Sequence, residues 1–270
     1  MQASFLQDID WSSPWLAHVR EVGQAIATAP DWRDALNRAI AERGVCNHRG
    51  MLVHFVPQAD LPVGTAYEHF ISETGGVPTR DNLHDFFNAL VWLHYPCIKV
   101  QLNALQAKEI AQQLSMPAGI GHAPRGKVRD AATIFDENAV LFVTSEPLFV
   151  EMLRQHRWQE LFVMQRDVLM RQSRISLFGH ALMEKLIKPY KAITGHVWAV
   201  LMDGEVSSDQ AAMAAVDCHV AQQIAHGVST ADFSPLPVLG VPDWWQGQDA
   251  AFYADQGVFR PPRLRATVKV

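Results

Sequence analysis

The segment of residues 78–99, PTRDNLHDFFNALVWLHYPCIK, constrains the fold of this chain most, because it joins a strongly apolar helix to a cluster of polar groups. At about 100° per residue, the apolar side chains of residues 83–93 cover well over half of the helix circumference, so we expect a largely buried helix. Thr79 and Asp81 are the predicted caps of its first turn, and Pro96 is predicted to end it.

The remaining side of this helix carries a narrow polar stripe formed by His84, Asp85 and Asn88. A helix face that only meets water usually carries Lys, Glu or Gln, whereas His, Asp and Asn are weaker helix formers that are found at caps or in hydrogen-bonded networks. The polar stripe therefore needs partners. Two interpretations stay open: a structural network that locks the helix into a core, or the wall of a solvent-accessible pocket.

The composition is that of a globular protein, with 49% hydrophobic and 19% charged residues among 270. A chain of this length can bury a substantial core without disulfides or structural metal. Its three cysteines are odd in number and far apart in the sequence. This pattern predicts neither a disulfide framework nor a zinc-finger spacing, and it favours a reducing compartment.

The formal net charge of −5 gives no general attraction to nucleic acid or to an anionic membrane. The arginines between residues 154 and 174 are spaced so that they scatter around a helix, and nucleic acid is not expected as a partner. The N-terminus lacks a basic segment followed by an apolar run, and no stretch approaches the ~18 apolar residues that span a bilayer. We therefore expect a cytoplasmic protein without a membrane partner.

Apolar periodicity predicts a helical first part that extends to about residue 115. Its helices are predicted over residues 13–28, 31–44, 65–73, 79–95 and 96–115. A Pro/Gly-rich loop at residues 116–126 leads into a mixed α/β part, residues 126–226, with strands near 139–143 and 195–202 and one helix over 156–174.

Beyond Gly227 the sequence becomes a Pro/Gly-punctuated segment, residues 227–270, with too many aromatic residues for a disordered tail. We expect a wrapping arm that buries the rings of Trp244, Trp245, Phe252, Tyr253 and Phe259. The chain is thus predicted to be α+β and predominantly helical, with a small central sheet and an extended C-terminal aromatic arm, as a single domain over residues 1–270.

A second polar cluster is expected from the later part of the chain. His180 and Glu184 are four residues apart on a predicted helix, a spacing that suits a divalent metal or an acid–base pair. Lys188 follows after four more residues, so a solvent-exposed face with an ion pair would give the same pattern. Asp136 and Glu137 lie at a helix-to-strand junction, where turn chemistry alone also favours acidic residues.

Six sequence blocks follow one another along the chain: FVPQADLP, YEHFI, VPTRDNLHDFFNALVWLHYP, RDAATIFDEN, LFGHALMEKL and LPVLGVPDWW…FYADQGVFRP. Together they resemble a bacterial family catalogued as domain of unknown function 3025, over about Leu52 to Pro262. The resemblance implies that the blocks belong to one unit, which argues against a domain split at the Pro/Gly-rich loop. It brings no established reaction, cofactor or fold with it.

These observations favour an enzyme that acts on a small polar molecule, by acid–base chemistry or as a metal-dependent hydrolase or transferase. His84 is the expected general base or metal ligand, Asp85 its orienting carboxylate or a further ligand, and Asn88 a hydrogen-bond donor to substrate. The residues expected to act in catalysis are His84, Asp85, Asn88, His180 and Glu184, and the expected ligands of a divalent metal ion are His84, Asp85, His180, Glu184 and Asp136.

A carboxylate from Asp136, Glu137 or Glu184 is expected within reach of His84 if the polar stripe lines a pocket. The rival hypothesis is a non-catalytic binding or adaptor protein in which the polar stripe is structural. In that case the aromatic arm or the basic helix would meet the partner.

Overall fold

The computed structural model describes residues 3–114, 126–204, 206–207 and 209–262, and these ranges confirm the predominantly helical α+β fold. Their α-helices are α1 (Arg20–Ala27), α2 (Trp32–Glu42), α3 (Tyr67–Thr74), α4 (Leu83–His94), α5 (Pro96–Leu114), α6 (Lys127–Asn138), α7 (Pro147–Arg154), α8 (Arg166–Gln172), α9 (His180–Lys185), α10 (Gln210–Ala225) and α11 (Ala250–Tyr253). Short 3-10 turns lie at Ser4–Leu6, Pro14–Leu16, Gln58–Asp60, Thr230–Asp232 and Val238–Gly240. Among the helices of these ranges, none combines the length and apolarity needed to cross a bilayer.

A four-stranded sheet forms the centre of the second half of the chain. Its strands are β3 (Ala139–Thr144), β4 (Ser173–Leu177), β5 (Thr194–Leu201) and β6 (Ser234–Pro237), in the order β4-β3-β5-β6. The pair β3 and β5 is parallel, whereas the two outer pairs are antiparallel. Every residue of β3, with the sequence AVLFVT, is buried, as expected of a β-branched and aromatic strand flanked on both sides. The strands predicted near 139–143 and 195–202 are β3 and β5.

A second sheet of two parallel strands places the beginning of α4. It consists of β1 (His54–Pro57) and β2 (Gly76–Thr79). Gly75 ends α3 with a φ of 73°, and a Cβ there would lie 2.3 Å from the carbonyl oxygen of Leu52. Only glycine fits this turn, which brings the chain from α3 into β2 and then into α4.

The cap of α4 differs from the prediction, since Asn82 and not Thr79 or Asp81 accepts the hydrogen bond from the backbone N–H of Asp85, at 2.8 Å. Thr79 belongs to β2 and donates its hydroxyl to a carbonyl of its own strand, and Asp81 forms an ion pair with Arg33. Strand pairing and the ion pair therefore remove both predicted caps from the helix. The prediction of a buried α4 agrees with the structure, in which residues 85–93 are all buried.

Residues 156–174 do not form one helix, as the sequence pattern predicted. A π-helical turn at Glu160–Met164 and the short helix α8 precede β4, whose first residue is Ser173. β4 pairs with β3 over five residues, so a distant partner sets its conformation against the local helical pattern. The predicted helix over residues 13–28 is likewise divided, into the turn Pro14–Leu16 and α1.

The predicted aromatic arm consists of short elements and supplies β6 to the sheet. Of its five rings, Trp244, Phe252, Tyr253 and Phe259 are buried and Trp245 is partly buried. Ring contacts join this segment to residues 158–162, with Trp158 against Phe259 and Phe162 against Tyr253. The Pro/Gly-rich loop predicted at 116–126 lies outside the described residues except for Gly126, the N-cap of α6.

The beginning of α5 is held by a carboxylate from α10. Asp217 accepts hydrogen bonds from the backbone N–H groups of Cys97 and Ile98, at 2.8 and 2.9 Å. The same contact brings two cysteines that are distant in the sequence together, with Cys97 Sγ 3.4 Å from Cys218 Sγ as free thiols. This cap fixes the first turn of α5, which carries Lys99.

Gly179, just before α9, lies in close contact with the backbone at the end of α6. A Cβ on Gly179 would lie 2.5 Å from the backbone N and Cα of Asn138, which cannot move aside as a flexible side chain could. We expect Gly179→Ala to lower the free energy of unfolding by about 1–3 kcal/mol, because it forces these elements apart. Chemical denaturation measures this change. Gly257→Ala, at an exposed site, is the control. Equal stability of both variants would contradict the close contact of Gly179 with α6.

The buried His18 should make the free energy of unfolding depend on pH. Burial, assisted by the nearby His94, lowers the pKa of His18 from 6.5 to about 3. The unfolded chain binds a proton there below pH 6.5 while the folded chain does not, so this stabilising contribution is present above pH 6.5 and is lost as pH falls toward 3. The slope should reach about 1.4 kcal/mol per pH unit.

In His18→Leu this part of the acid sensitivity should disappear. Denaturant melts at a series of pH values between about 6 and 4 measure it, with the exposed His226→Leu as the matched control. An unchanged slope in His18→Leu would show that His18 is not held neutral in the folded protein.

Candidate functional site

The polar stripe of α4 meets the last turn of α6 and the whole of α9. His84 lies in the first turn of α4, Asp136 and Glu137 lie in the last turn of α6, and His180 begins α9. The tight contact of Gly179 with Asn138 sets the distance between α6 and α9. Three helix ends thus converge, and each presents an imidazole or a carboxylate to the others.

Two histidines and one glutamate form a group that could hold a metal ion, the one such cluster within the described ranges. His84 Nε2 lies 3.1 Å from His180 Nε2. Glu137 Oε2 lies 3.5 Å from His180 Nε2 and 4.0 Å from His84 Nε2. Ligand atoms that surround Zn²⁺ tetrahedrally at ~2.0–2.1 Å are separated by about 3.3 Å, so the three atoms approach ligand spacing.

The outer nitrogen of each histidine faces a second carboxylate. His84 Nδ1 makes a 3.1 Å hydrogen bond with Glu184 Oε2. His180 Nδ1, which is buried and has no hydrogen-bond partner among the described residues, lies 3.9 Å from Asp136 Oδ1. Carboxylates in this position orient histidine ligands of metal ions and select the tautomer whose inner nitrogen is free to bind.

Burial keeps His180 in the form that a ligand needs. It lowers the pKa of His180 from 6.5 to about 3, against the attraction of Asp136, so the imidazole is neutral at physiological pH. Burial and the neighbouring Asp136 raise the pKa of Glu137. Burial alone would raise the pKa of Asp136 too, but the ammonium of Lys99 holds it below its usual value.

A buried lysine organises the inner wall of the site. Lys99, with a side chain only 5% exposed, donates to Asp136 Oδ1 at 2.6 Å and to Asn88 Oδ1 at 2.8 Å. Asn88 Nδ2 in turn donates to the hydroxyl of Tyr67 at 3.1 Å. One ammonium therefore positions residues from α4 and α6, and through Asn88 it also reaches α3.

The site opens into a cavity of about 520 Å³. Its wall is mostly polar and consists of Gln58, Leu61, Ala66, Tyr67, Glu68, Arg80, His84, Asp85, Asn88, Gln106, Ile110, Arg129, Thr133, Asp136, Glu137 and His180. The side chain of His84 is 30% exposed and that of Glu184 is 42% exposed, so solvent reaches the outer side of the group. A cavity of this size accommodates a small molecule.

The structure brings four of the expected site residues together, namely His84, His180, Glu184 and Asp136, and with them Glu137, one of the three carboxylates expected within reach of His84. Glu184 and Asp136, expected as metal ligands, instead face the outer nitrogens. Asn88 lies on the cavity wall, and both ends of its amide are engaged by Lys99 and Tyr67.

Asp85 lies outside the group, against its expected role as a ligand or as the partner of His84. Its carboxylate accepts from the backbone N–H of Arg80 at 2.7 Å and from the guanidinium at 2.9 and 3.0 Å. Adjacent helix residues point about 100° apart, so Asp85 turns toward the chain before α4 while His84 turns toward α9.

Three residues in or beside the cavity wall were not among the site residues expected from the sequence: Lys99, Tyr67 and Glu68. The signal for the first was present, because Lys99, Asn103 and Gln106 recur at helical spacing on α5 and are all buried. Asn103 Nδ2 donates to Glu68 Oε2 at 2.6 Å, and burial raises the pKa of Glu68. Lysine at such a spacing indicates a buried polar face that needs acidic partners.

Comparison with known proteins gives one match, to a family described as "Protein of unknown function (DUF3025)", over residues 53–263. No curated protein and no solved structure matches the chain. The matched range contains every residue of the group and of the network around Lys99.

Two substitutions in the site should change the free energy of unfolding by very different amounts. Lys99→Met leaves the buried Asp136 without its cation and should lower the free energy of unfolding by about 3–5 kcal/mol. His84→Ala removes a partly exposed ring whose partner Glu184 can take up water, so the change should be well under ~1 kcal/mol. Chemical denaturation of metal-free protein measures both.

The matched control is Lys108→Met, at an exposed position of the same helix, which should behave like wild type. A loss of ~1–3 kcal/mol in His84→Ala would indicate that the polar stripe is a structural network.

Proposed function

Since the chain belongs to the DUF3025 family, to which no activity is assigned, we propose its function from the site itself: a metal-dependent hydrolase that acts on a small polar molecule. The observation that carries this proposal is the convergence of His84 Nε2, His180 Nε2 and Glu137 Oε2 at 3.1 to 4.0 Å on the wall of the cavity. Two imidazoles and one carboxylate suit Zn²⁺, and also Fe(II) or Mn²⁺.

Three protein ligands leave a coordination position for water, whose pKa a bound Zn²⁺ lowers to about 7. Each residue of the site then has a separate role. His84, His180 and Glu137 hold the ion, Glu184 orients His84, and Asp136 faces His180. The reaction adds this water across a bond of the substrate, which splits into two products.

The carboxylates that face the Nδ1 atoms of His84 and His180 support a metal ion between the two Nε2 atoms. As a carboxylate, Glu184 accepts from His84 Nδ1, which leaves His84 Nε2 as the nitrogen that can offer a lone pair to a metal ion. If His180 Nε2 donated to that lone pair, His180 Nδ1 would be unprotonated and would turn a second lone pair toward Asp136. With a cation between the two Nε2 atoms, both Nδ1–H groups face carboxylates instead.

A metal-free acid–base enzyme is the second candidate, and the hydrogen bond between His84 and Glu184 favours it. A histidine held by a carboxylate is a general base suited to neutral pH. A non-catalytic binding protein remains the rival from another class, and binding without turnover would indicate it.

The test is metal analysis of protein purified without a histidine tag, by mass spectrometry of the elements and by titration of the metal-free protein with Zn²⁺. We expect about one ion per chain in the wild type. His180→Ala and Glu137→Ala should lose it, and Glu184→Gln should weaken Zn²⁺ binding by about 10- to 100-fold. The exposed His226→Ala is the matched control.

Uptake of none of Zn²⁺, Mn²⁺ and Fe(II) by the wild type would refute the metal centre. The acid–base candidate would then be the one to pursue. Equal Zn²⁺ affinity in His180→Ala and in the His226→Ala control would place any bound ion elsewhere.

A further inference from the structure

Tyr67, the first residue of α3, has a hydroxyl whose hydrogen meets no acceptor in the part of the chain that the structure describes. The phenol lines the cavity, and its oxygen accepts a hydrogen bond from Asn88 Nδ2 at 3.1 Å. Among the described residues the Tyr67 hydroxyl donates to none. Tyr67 is partly buried and faces the cavity, so this unused donor is available to a molecule bound there.

The direction of this hydrogen bond follows from Lys99. An ammonium group only donates, so the atom of Asn88 that lies 2.8 Å from Lys99 Nζ must be the amide oxygen. The amide NH₂ group then faces Tyr67 and can only donate. The Tyr67 oxygen must accept at that contact, and its own hydrogen must point elsewhere.

The proton stays on Tyr67 at any physiological pH. Burial raises the pKa of Tyr67 well above 10, and the acidic neighbours Glu68, Asp136 and Asp85 add to the effect. The cavity thus contains a permanent, neutral hydrogen-bond donor that Asn88 holds in one orientation. Such a donor suits an oxygen of the substrate on which negative charge develops.

The charges around the cavity indicate which kind of oxygen fits. The wall has four acidic side chains, Glu68, Asp85, Asp136 and Glu137. It also has two arginines: Arg80 pairs with Asp85, and Arg129 donates to Gln113 and lies near Glu68. A phosphate group with two negative charges would meet more carboxylates than arginines on this wall, whereas a neutral carbonyl compound adds no charge to it.

We infer that Tyr67 forms an oxygen-binding subsite, which donates a hydrogen bond to the carbonyl oxygen of a neutral amide or ester substrate bound beside the metal ion. Asn88 and Lys99 are positioning residues of this subsite, because they act through Tyr67. The inference rests on the proposed metal centre, and it adds the class of substrate and the residue that recognises it.

The experiment uses the full chain loaded with Zn²⁺ and acetohydroxamate, a small ligand that binds zinc through oxygen atoms and resembles an amide. Isothermal titration calorimetry compares wild type with Tyr67→Phe, which removes only the hydroxyl. We expect acetohydroxamate to bind the variant about 10- to 100-fold more weakly. Imidazole, which binds zinc through nitrogen and offers no oxygen, should bind both proteins equally.

The matched control is Tyr190→Phe, at a tyrosine that is 53% exposed, which should leave both affinities unchanged. A second variant, Asn88→Asp, keeps the tyrosine but offers its hydrogen an acceptor. It should weaken acetohydroxamate binding as Tyr67→Phe does, which keeps the test decisive if one variant fails to fold.

The outcomes separate this inference from the proposed function. If Zn²⁺ binds to Tyr67→Phe as to wild type and acetohydroxamate affinity is also unchanged, the metal centre stands and the subsite is refuted. The subsite is refuted too if acetohydroxamate does not bind the zinc-loaded wild type. Inorganic phosphate that binds with a dependence on Tyr67 would overturn the carbonyl assignment, and failure of wild type to take up Zn²⁺ would refute both.

Discussion

The buried ammonium of Lys99 is the interaction on which the rest of the site depends. A lysine that is 4% exposed is costly to bury unless its charge is matched and its hydrogens are used. Lys99 meets this condition with Asp136 and Asn88, which belong to two other helices. Asp217 fixes the first turn of α5 from the opposite side, so the position of the ammonium is determined by contacts beyond its own helix.

Each donor and acceptor of the inner wall is set in turn by this one cation. Because Lys99 holds Asp136 as a carboxylate, an acceptor faces the outer nitrogen of His180. Because Lys99 also fixes the amide of Asn88, the hydroxyl of Tyr67 keeps a free hydrogen. The proposed metal centre and the proposed oxygen-binding subsite thus both depend on the same buried charge.

The sequence predicted those parts of the site that depend on local pattern. α4 is apolar around most of its circumference, and the polar stripe with His84 follows from periodicity alone. His180 and Glu184 were likewise recognisable from a four-residue spacing. The sequence did not show which carboxylate would lie beside both histidines. His84 and Glu137 are brought together by the packing of α4, α6 and α9, which no local pattern encodes. Asp85 illustrates the limit, since it shares the polar stripe but turns toward Arg80.

The fold shows the same division. β3 was predicted because a continuous apolar run identifies a fully buried strand, and it pairs with β5 as the small central sheet requires. β4 was missed, because its residues SRISL alternate weakly and follow a charged segment with helical periodicity. Its strand conformation comes from pairing with β3, a contact between segments about thirty residues apart.

The balance of charge around the two histidines gives a physical reason to expect a cation there. Asp136 is matched by Lys99, and Asp85 is matched by Arg80. Two acidic side chains near the imidazoles, Glu137 and Glu184, form no ion pair with a lysine or arginine among the described residues, and burial together with the charge of Asp136 raises the pKa of Glu137. His180 cannot balance them, since burial keeps it neutral. A divalent ion between the imidazoles would add positive charge beside two carboxylates that pair with no lysine or arginine among the described residues.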